Sequence, residues 1–178
     1  MDEGEKDSID STIVVITKVI EGFWNIAFFT KIRNYFGFTC HREFWDRVIF
    51  VNYLPECIGG PNERYNTGTK EQIECAKQRF LTLIRKEHPH KVFVFSKQAW
   101  STFPTTREEE ACGRAGPVLS PNEFPEFSWG TYDAGGHLVM AFGLRHPQWA
   151  DGQLMQRAVR YALNKPAPDV CLDILKPA

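Results

Sequence analysis

Apolar and polar positions near the start of the chain repeat with the period of a helix. Between residues 9 and 38, apolar side chains occur at positions 13, 16, 19, 20, 23, 24, 27 and 28, a spacing closer to 3.6 than to 2. The β-branched run TIVVITKVI argues the other way, because such residues favour strands. The periodicity nevertheless predicts two helices, with Gly37 at the end of the second.

Two short, continuous apolar runs have the character of strands buried on both faces of a parallel sheet. They are RVIFVNYL, which begins at residue 47, and KVFVFS at 91–96. A helix is predicted between them, because Thr69 and Gln72 form a capping box. One apolar stripe follows the box, at Ile73, Ala76, Phe80, Leu83 and Ile84. Strand, helix and strand in this order indicate a βαβ unit with a right-handed crossover.

The second half of the chain predicts an irregular segment, a hairpin and a final helix. The segment after Trp100 is rich in Pro, Gly and charge, whereas FSWGTYDAGGHLVMAFGL alternates around a Gly-Gly turn. Asp151 can cap a helix that ends near Asn164. We therefore expect an α/β fold, a three-layer α/β/α sandwich whose mostly parallel central sheet contains 47–52, 91–96 and 137–143. One domain, 1–178, would comprise a helical part at 1–46, an α/β core at 47–163 and a tail at 164–178.

Length and charge limit the classes of partner. A chain of 178 residues can bury an ordinary core in one domain. The formal net charge is −1 and no long run of Lys and Arg occurs, so a nucleic acid would have to be held by a local patch. Five cysteines without a C-x-x-C pair favour reduced thiols, and the acidic start does not resemble a signal peptide. Apolar runs are too short to span a bilayer, so we expect a cytoplasmic protein without a membrane partner.

Several common catalytic motifs are missing from the sequence. The glycines of GGPNERYNTGTKE lack the spacing of a phosphate-binding Walker loop. The chain has no H-E-x-x-H metal motif and no G-x-S-x-G nucleophile elbow. Hydrolysis by those routes is therefore not expected.

Two positions at predicted strand ends remain, and open α/β sheets bind ligands at the carboxyl ends of their strands. Asn52 ends the first predicted strand, and RHPQW at 145–149 follows the last one. A strand ending in Asn, then a helix, the strand VFVFSKQAW and a last strand running into His-Pro resembles the uracil-DNA glycosylase superfamily. The resemblance covers roughly residues 47 to 163.

The resemblance implies a hydrolase that removes uracil or a related damaged base from DNA. Asn52 would read the base, since a carboxamide offers a donor and an acceptor side by side. His146 would be the catalytic donor that stabilises negative charge on the departing base. Tyr53, Phe95 or Trp149 would stack on the flipped base, and the predicted DNA contacts are Arg64, Arg145 and Gln148.

The sequence also departs from the superfamily pattern. The first motif, which positions the attacking water, has no counterpart near MDEGEKDSID, and Gln148 and Trp149 stand where the family has serine. Either the chain is truncated or the activity has drifted. The order of Cys57 and Cys75 is similar to the iron-sulfur branch, whose close amino-terminal cysteine pair is absent here. We therefore predict no cluster, no catalytic metal and no cofactor.

Structural roles would explain the same residues without catalysis. Asn52 could close a turn by bonding nearby backbone, and His146 could be a surface loop residue ahead of a capped helix. The alternative function is a non-catalytic nucleic-acid-binding or interaction module descended from the same superfamily.

Overall fold

A computed structural model describes residues 3–54, 68–104 and 128–166. Six α-helices and one three-stranded sheet lie in these ranges, in the order α1 (Glu3–Ile20), α2 (Ala27–Tyr35), α3 (His41–Trp45), α4 (Lys70–Glu87), β1 (Lys91–Val94), α5 (Lys97–Ser101), β2 (Ser128–Asp133), β3 (Leu138–Gly143) and α6 (Gly152–Asn164). A 3-10 turn, Pro147–Trp149, precedes α6. Most of the predicted irregular segment after Trp100 lies outside the described residues, as does the part of the predicted tail from residue 167 onward.

The sheet is mixed, with β3 between its two neighbours in the order β1-β3-β2. β1 pairs with β3 in parallel, from Lys91 opposite Met140 to Val94 opposite Gly143. β2 pairs with β3 as an antiparallel hairpin, whose turn contains Gly135 and Gly136 at φ of 79° and 87°. Glycine reaches such angles without steric cost, and the hairpin predicted around the Gly-Gly pair is confirmed.

Side chains from β3 enter two separate cores, because successive residues of a strand point to opposite faces of the sheet. Val139 and Ala141 pack in a cluster with Phe80, Leu81 and Ile84 of α4. Met140 and Phe142 belong to a second cluster formed with α6 and with Tyr35 of α2; the α6 members are Met155, Ala158, Val159 and Ala162. Helices therefore cover both faces of the central strand.

A third core joins the first three helices. Its buried members are Val19 from α1, Phe29 and Ile32 from α2, and Phe44 and Trp45 from α3. The two helices predicted between residues 9 and 38 are thus confirmed as α1 and α2. Helical periodicity prevails over the strand preference of the β-branched run because Val19, at one side of α1, becomes fully buried.

The helix ends predicted from capping residues are also confirmed. The Thr69 hydroxyl accepts a hydrogen bond from the Gln72 amide, and the Gln72 side chain accepts one from the Thr69 amide. The Asp151 carboxylate accepts a hydrogen bond from the Leu154 amide at the start of α6. Gly37 has φ of 81° just beyond α2, as expected of a residue that ends a helix.

The strand predicted at 47–52 was wrong. This segment forms no regular secondary structure and has no place in the described sheet, and Val48, Ile49 and Val51 are exposed, Ile49 by 60%. Phe50 alone packs inward, on the aromatic rings of α2 and α3. β-branched residues favour strands through packing against neighbouring strands, and here aromatic packing fixes the segment without a ladder. The described sheet therefore contains one parallel and one antiparallel pairing, and the mostly parallel three-layer sandwich is not confirmed.

Candidate functional site

The carboxyl ends of β1 and β3 lie at one edge of the sheet, because the two strands are parallel neighbours. The amide of Leu144 donates to the carbonyl of Val94 over 2.8 Å, so the two chains remain together beyond the last strand pair. Lys97 begins α5 just after β1, whereas Arg145 and His146 follow β3. Open α/β sheets place their ligands at this kind of edge, which we call the carboxyl edge.

Positive charge from three parts of the chain meets at the carboxyl edge. Partial desolvation of its ammonium group lowers the pKa of Lys97, although the residue is exposed overall, and the charge of Arg145 lowers the pKa further. Lys31 comes from α2, and its Nζ donates to the carbonyl of Pro147 over 3.1 Å. Like charges at close range create a positive potential, which attracts anions despite the near-neutral charge of the whole chain.

His146 lies among these cations with a defined arrangement of its ring. Its Nδ1 accepts a hydrogen bond of 3.2 Å from the amide of Gln148, so the neutral ring carries its proton on Nε2. One face of the ring lies against Phe28, with 5.3 Å between the ring centres. Burial lowers the pKa of His146 and the charge of Lys31 lowers it further. The ring is therefore a neutral donor through Nε2 at pH 7.

An exposed aromatic residue lies three positions after this histidine in the sequence. Trp149 ends the 3-10 turn that His146 caps, and it is 66% exposed. Gln148 and Arg145 are exposed as well. A large aromatic side chain exposed at the surface offers a stacking platform for a nucleobase.

Tyr53 and Phe95, the other two predicted base-stacking residues, pack against the core clusters. The Tyr53 hydroxyl donates to the carbonyl of Thr102 over 2.8 Å, and its ring packs on Phe103. Phe95 packs on Tyr35 and Phe36 of the α2 region. Both rings are partly buried, and their contacts account for them as packing residues. Contact of either ring with a base stays a prediction.

Asn52 is placed by α1 and α4. Its exposed side chain donates from Nδ2 to the Thr12 hydroxyl over 2.9 Å. Its backbone carbonyl accepts a hydrogen bond of 3.2 Å from Arg79. None of the contacts in the described part of the chain joins Asn52 to His146, and the role of Asn52 in base recognition stays a prediction. Arg64 and Cys57 lie outside the described residues.

Sequence reasoning did not identify Lys31, Lys97 or Trp100 at this edge. Lys97 directly follows the predicted strand at 91–96, so the rule for strand ends could have identified it. Trp100 of α5 covers the backbone of Gly143, at a position where an added Cβ would overlap the indole ring. Lys31 gave no signal, since it lies on a helix 116 residues from Pro147, to which it is bonded.

The described ranges contain neither a group of three metal-ligating side chains nor a helix that could span a membrane. Within residues 3–54, 68–104 and 128–166, no three His, Cys, Asp or Glu side chains are grouped as metal ligands. Cys40 and Cys75 are exposed free thiols. None of the helices in these ranges combines the length and the apolar character needed to cross a bilayer. No protein-family model, no curated protein and no solved structure matches the chain.

Proposed function

We propose that the carboxyl edge binds nucleic acid, with DNA as the partner. One observation carries the proposal: the parallel pairing of β1 with β3 brings Lys97 and Arg145 together, and α2 adds Lys31 beside His146. These groups come from three elements that are distant in sequence. A local cationic site of this kind can hold phosphates although the net charge of the chain is −1.

The chemistry around the cations favours a nucleic acid over a simple anion. Phosphates would be held by Lys97 and Arg145, and a base would stack on the exposed indole of Trp149. His146 presents an N–H donor on the same edge. Phosphate, base and hydrogen-bond contacts together describe an unpaired nucleotide better than they describe an isolated phosphate.

The resemblance to the uracil-DNA glycosylase superfamily supplies the finer fold proposal. The packing of α4 on one face of β3 and of α6 on the other is what an α/β/α sandwich requires. We infer such a sandwich for the α/β part of the described residues. This proposal does not depend on residues 47–52 forming a strand.

Base excision is a second candidate, and the state of His146 favours it. A neutral histidine with its proton on Nε2 can donate a hydrogen bond from that N–H to the oxygen of a departing uracil. Its position after β3, ahead of Pro147, agrees with the motif order of the superfamily. The side chain of Asn52 is hydrogen-bonded to Thr12, and its backbone carbonyl to Arg79. These bonds give Asn52 a structural role, so binding without catalysis is the first candidate.

A salt-dependent binding titration tests the first candidate. The ligand is a single-stranded DNA oligonucleotide with one central uracil, and the test variant is Lys97→Ala with Arg145→Ala. If each cation contacts one phosphate, the slope of log affinity against log salt falls by about 1.4, because single strands lose about 0.7 per contact. Arg85→Ala with Lys86→Ala is the matched control, since these charges end α4 shortly before the amino end of β1.

The control variant should keep the affinity and the salt slope of the parent. Trp149→Ala should weaken binding by roughly 5- to 150-fold, the range expected for loss of one stacked base. Absence of binding at low salt, or equal losses in the test and control variants, would remove nucleic acid from the proposal. Excision of uracil that His146→Ala reduces by at least about 100-fold, with binding retained, would establish the second candidate instead.

A further inference from the structure

Three of the five histidines of the chain lie together at the opposite edge of the sheet. His88 caps the carboxyl end of α4, His90 directly precedes β1, and His137 directly precedes β3. The ring of His137 lies 5.8 Å, centre to centre, from each of the other two rings. His88 and His90 are exposed and His137 is half-buried. We call this group the histidine cluster.

One hydrogen bond fixes the proton on the central ring. His137 Nε2 lies 3.3 Å from the carbonyl oxygen of Pro89, and a carbonyl can only accept. Nε2 must therefore carry the proton, and the neutral ring keeps its lone pair on Nδ1. A histidine that donates one ring N–H to a backbone carbonyl has the outer-shell arrangement found for metal-binding histidines.

The spacing of the rings allows two of them to share one ion. A transition metal binds an imidazole nitrogen at about 2.1 Å, so it lies about 3.2 Å from the ring centre. Two rings on one metal therefore have centres up to about 6.4 Å apart, and the observed 5.8 Å is within this limit. The three rings are not grouped as a three-ligand centre in the described residues, whereas each of the two pairs with His137 meets this distance limit.

We propose that the histidine cluster binds a divalent transition metal ion through His137 and either His88 or His90. His137 contributes Nδ1 and water completes the coordination. The ion joins the α4–β1 connection to the turn of the β2–β3 hairpin, two parts of the chain separated by about 48 residues.

Nickel is the suitable probe, because imidazole binds it well whereas zinc would also be bound by the exposed thiols of Cys40 and Cys75. The metal-free full chain is titrated with Ni²⁺ at pH 7.5, and the melting temperature is followed. At nickel tenfold above its dissociation constant, the Tm should rise by about 3 to 6 °C. Isothermal titration should give one ion per chain, and EDTA should reverse the shift.

Variants of the histidines decide the proposal. His137→Ala should abolish the nickel-induced shift, His88→Ala and His90→Ala should each weaken it, and the double variant of those two should abolish it. His146→Ala, at the carboxyl edge, is the matched control and should keep the full shift. Comparison of each variant with and without nickel separates metal binding from any change in basal stability. A parent chain without a shift, a shift retained in His137→Ala, or a shift lost in His146→Ala would overturn the proposal.

Discussion

Replacement of Gly143 by Ala tests the close approach of α5 to the carboxyl end of β3. Gly143 is the last residue of β3 and pairs with both Val94 and Ser128. A Cβ built on this glycine would lie less than 3.0 Å from ring carbons of Trp100, a separation that real Cβ atoms essentially never show. Either the indole or the strand must move to accommodate a single methyl group.

The surroundings of Trp100 set the size of the effect. Its ring stacks on Phe103 with 5.5 Å between the centres, and Phe103 is buried against Phe80. The indole therefore cannot turn aside without disturbing the core. Overpacking of this kind costs about 1 to 3 kcal/mol, which for a chain of this length lowers the Tm by about 2 to 12 °C. Gly143→Ala should therefore lower the free energy of unfolding by about 1 to 3 kcal/mol.

Gly152→Ala provides a matched control. Gly152 begins α6 and has no atom within 4 Å of its built Cβ. Alanine there should raise the free energy of unfolding by about 0.5 to 1 kcal/mol, because it restricts the unfolded chain and favours the helix. The two substitutions add the same methyl group and should have opposite signs.

The assay is urea unfolding of the parent, both alanine variants and the pair Gly143→Ala with Trp100→Leu. If the indole is the obstacle, the cost of Gly143→Ala should fall to within about 0.5 kcal/mol of zero when Trp100 is already leucine. A neutral Gly143→Ala, or a cost unchanged by Trp100→Leu, would show that α5 does not press on β3 as described.

Local signals predicted the elements that depend on local chemistry. The Thr69–Gln72 capping box, the Asp151 cap and the Gly135–Gly136 turn each involve side chains and backbone within a few residues. Such interactions are encoded by adjacent sequence and form in any tertiary setting that leaves the helix or hairpin in place. They were therefore correct without knowledge of the sheet order.

The segment at 47–52 shows where this reasoning fails. Its residues have the composition of a buried strand, yet a strand exists only when a neighbour supplies the ladder. Phe50 instead packs on Phe29 and Trp45. Composition reports how well a residue suits a pleated surface, and it does not report whether that surface is present. The predicted role of Asn52 assumed that this residue ends a strand of the sheet. Because the strand is absent from the described sheet, that role stays a prediction without this support.

The residues of the candidate site that directly follow a strand could be predicted from the sequence. The rule for strand ends selected Arg145, His146 and Trp149, and all three follow β3. Lys31 joins them through a contact across 116 residues. A contact of that range depends on how α2 packs against the segment before α6, and no periodicity or motif in one sequence encodes it.

Three further substitutions test separate parts of the fold. Thr69→Ala should lower the free energy of unfolding in urea by about 1 kcal/mol, because it removes the cap of α4. Thr131→Val should raise it by about 1 kcal/mol, because the buried hydroxyl has no hydrogen-bond partner among the described residues. His41→Asn should change how stability depends on pH. The indole N–H of Trp45 donates to His41 Nδ1 over 3.2 Å, so protonation at Nδ1 would break that bond. Burial lowers the pKa of His41 below 6.5 in the folded chain, and the charge of Arg33 lowers it further. The unfolded chain then binds more protons just below pH 6.5, so the free energy of unfolding falls as the pH decreases through that value and levels off below the folded pKa. His41→Asn should reduce this fall between pH 7.5 and 5, while a pH profile identical to that of the parent would show that His41 does not titrate against its bond with Trp45.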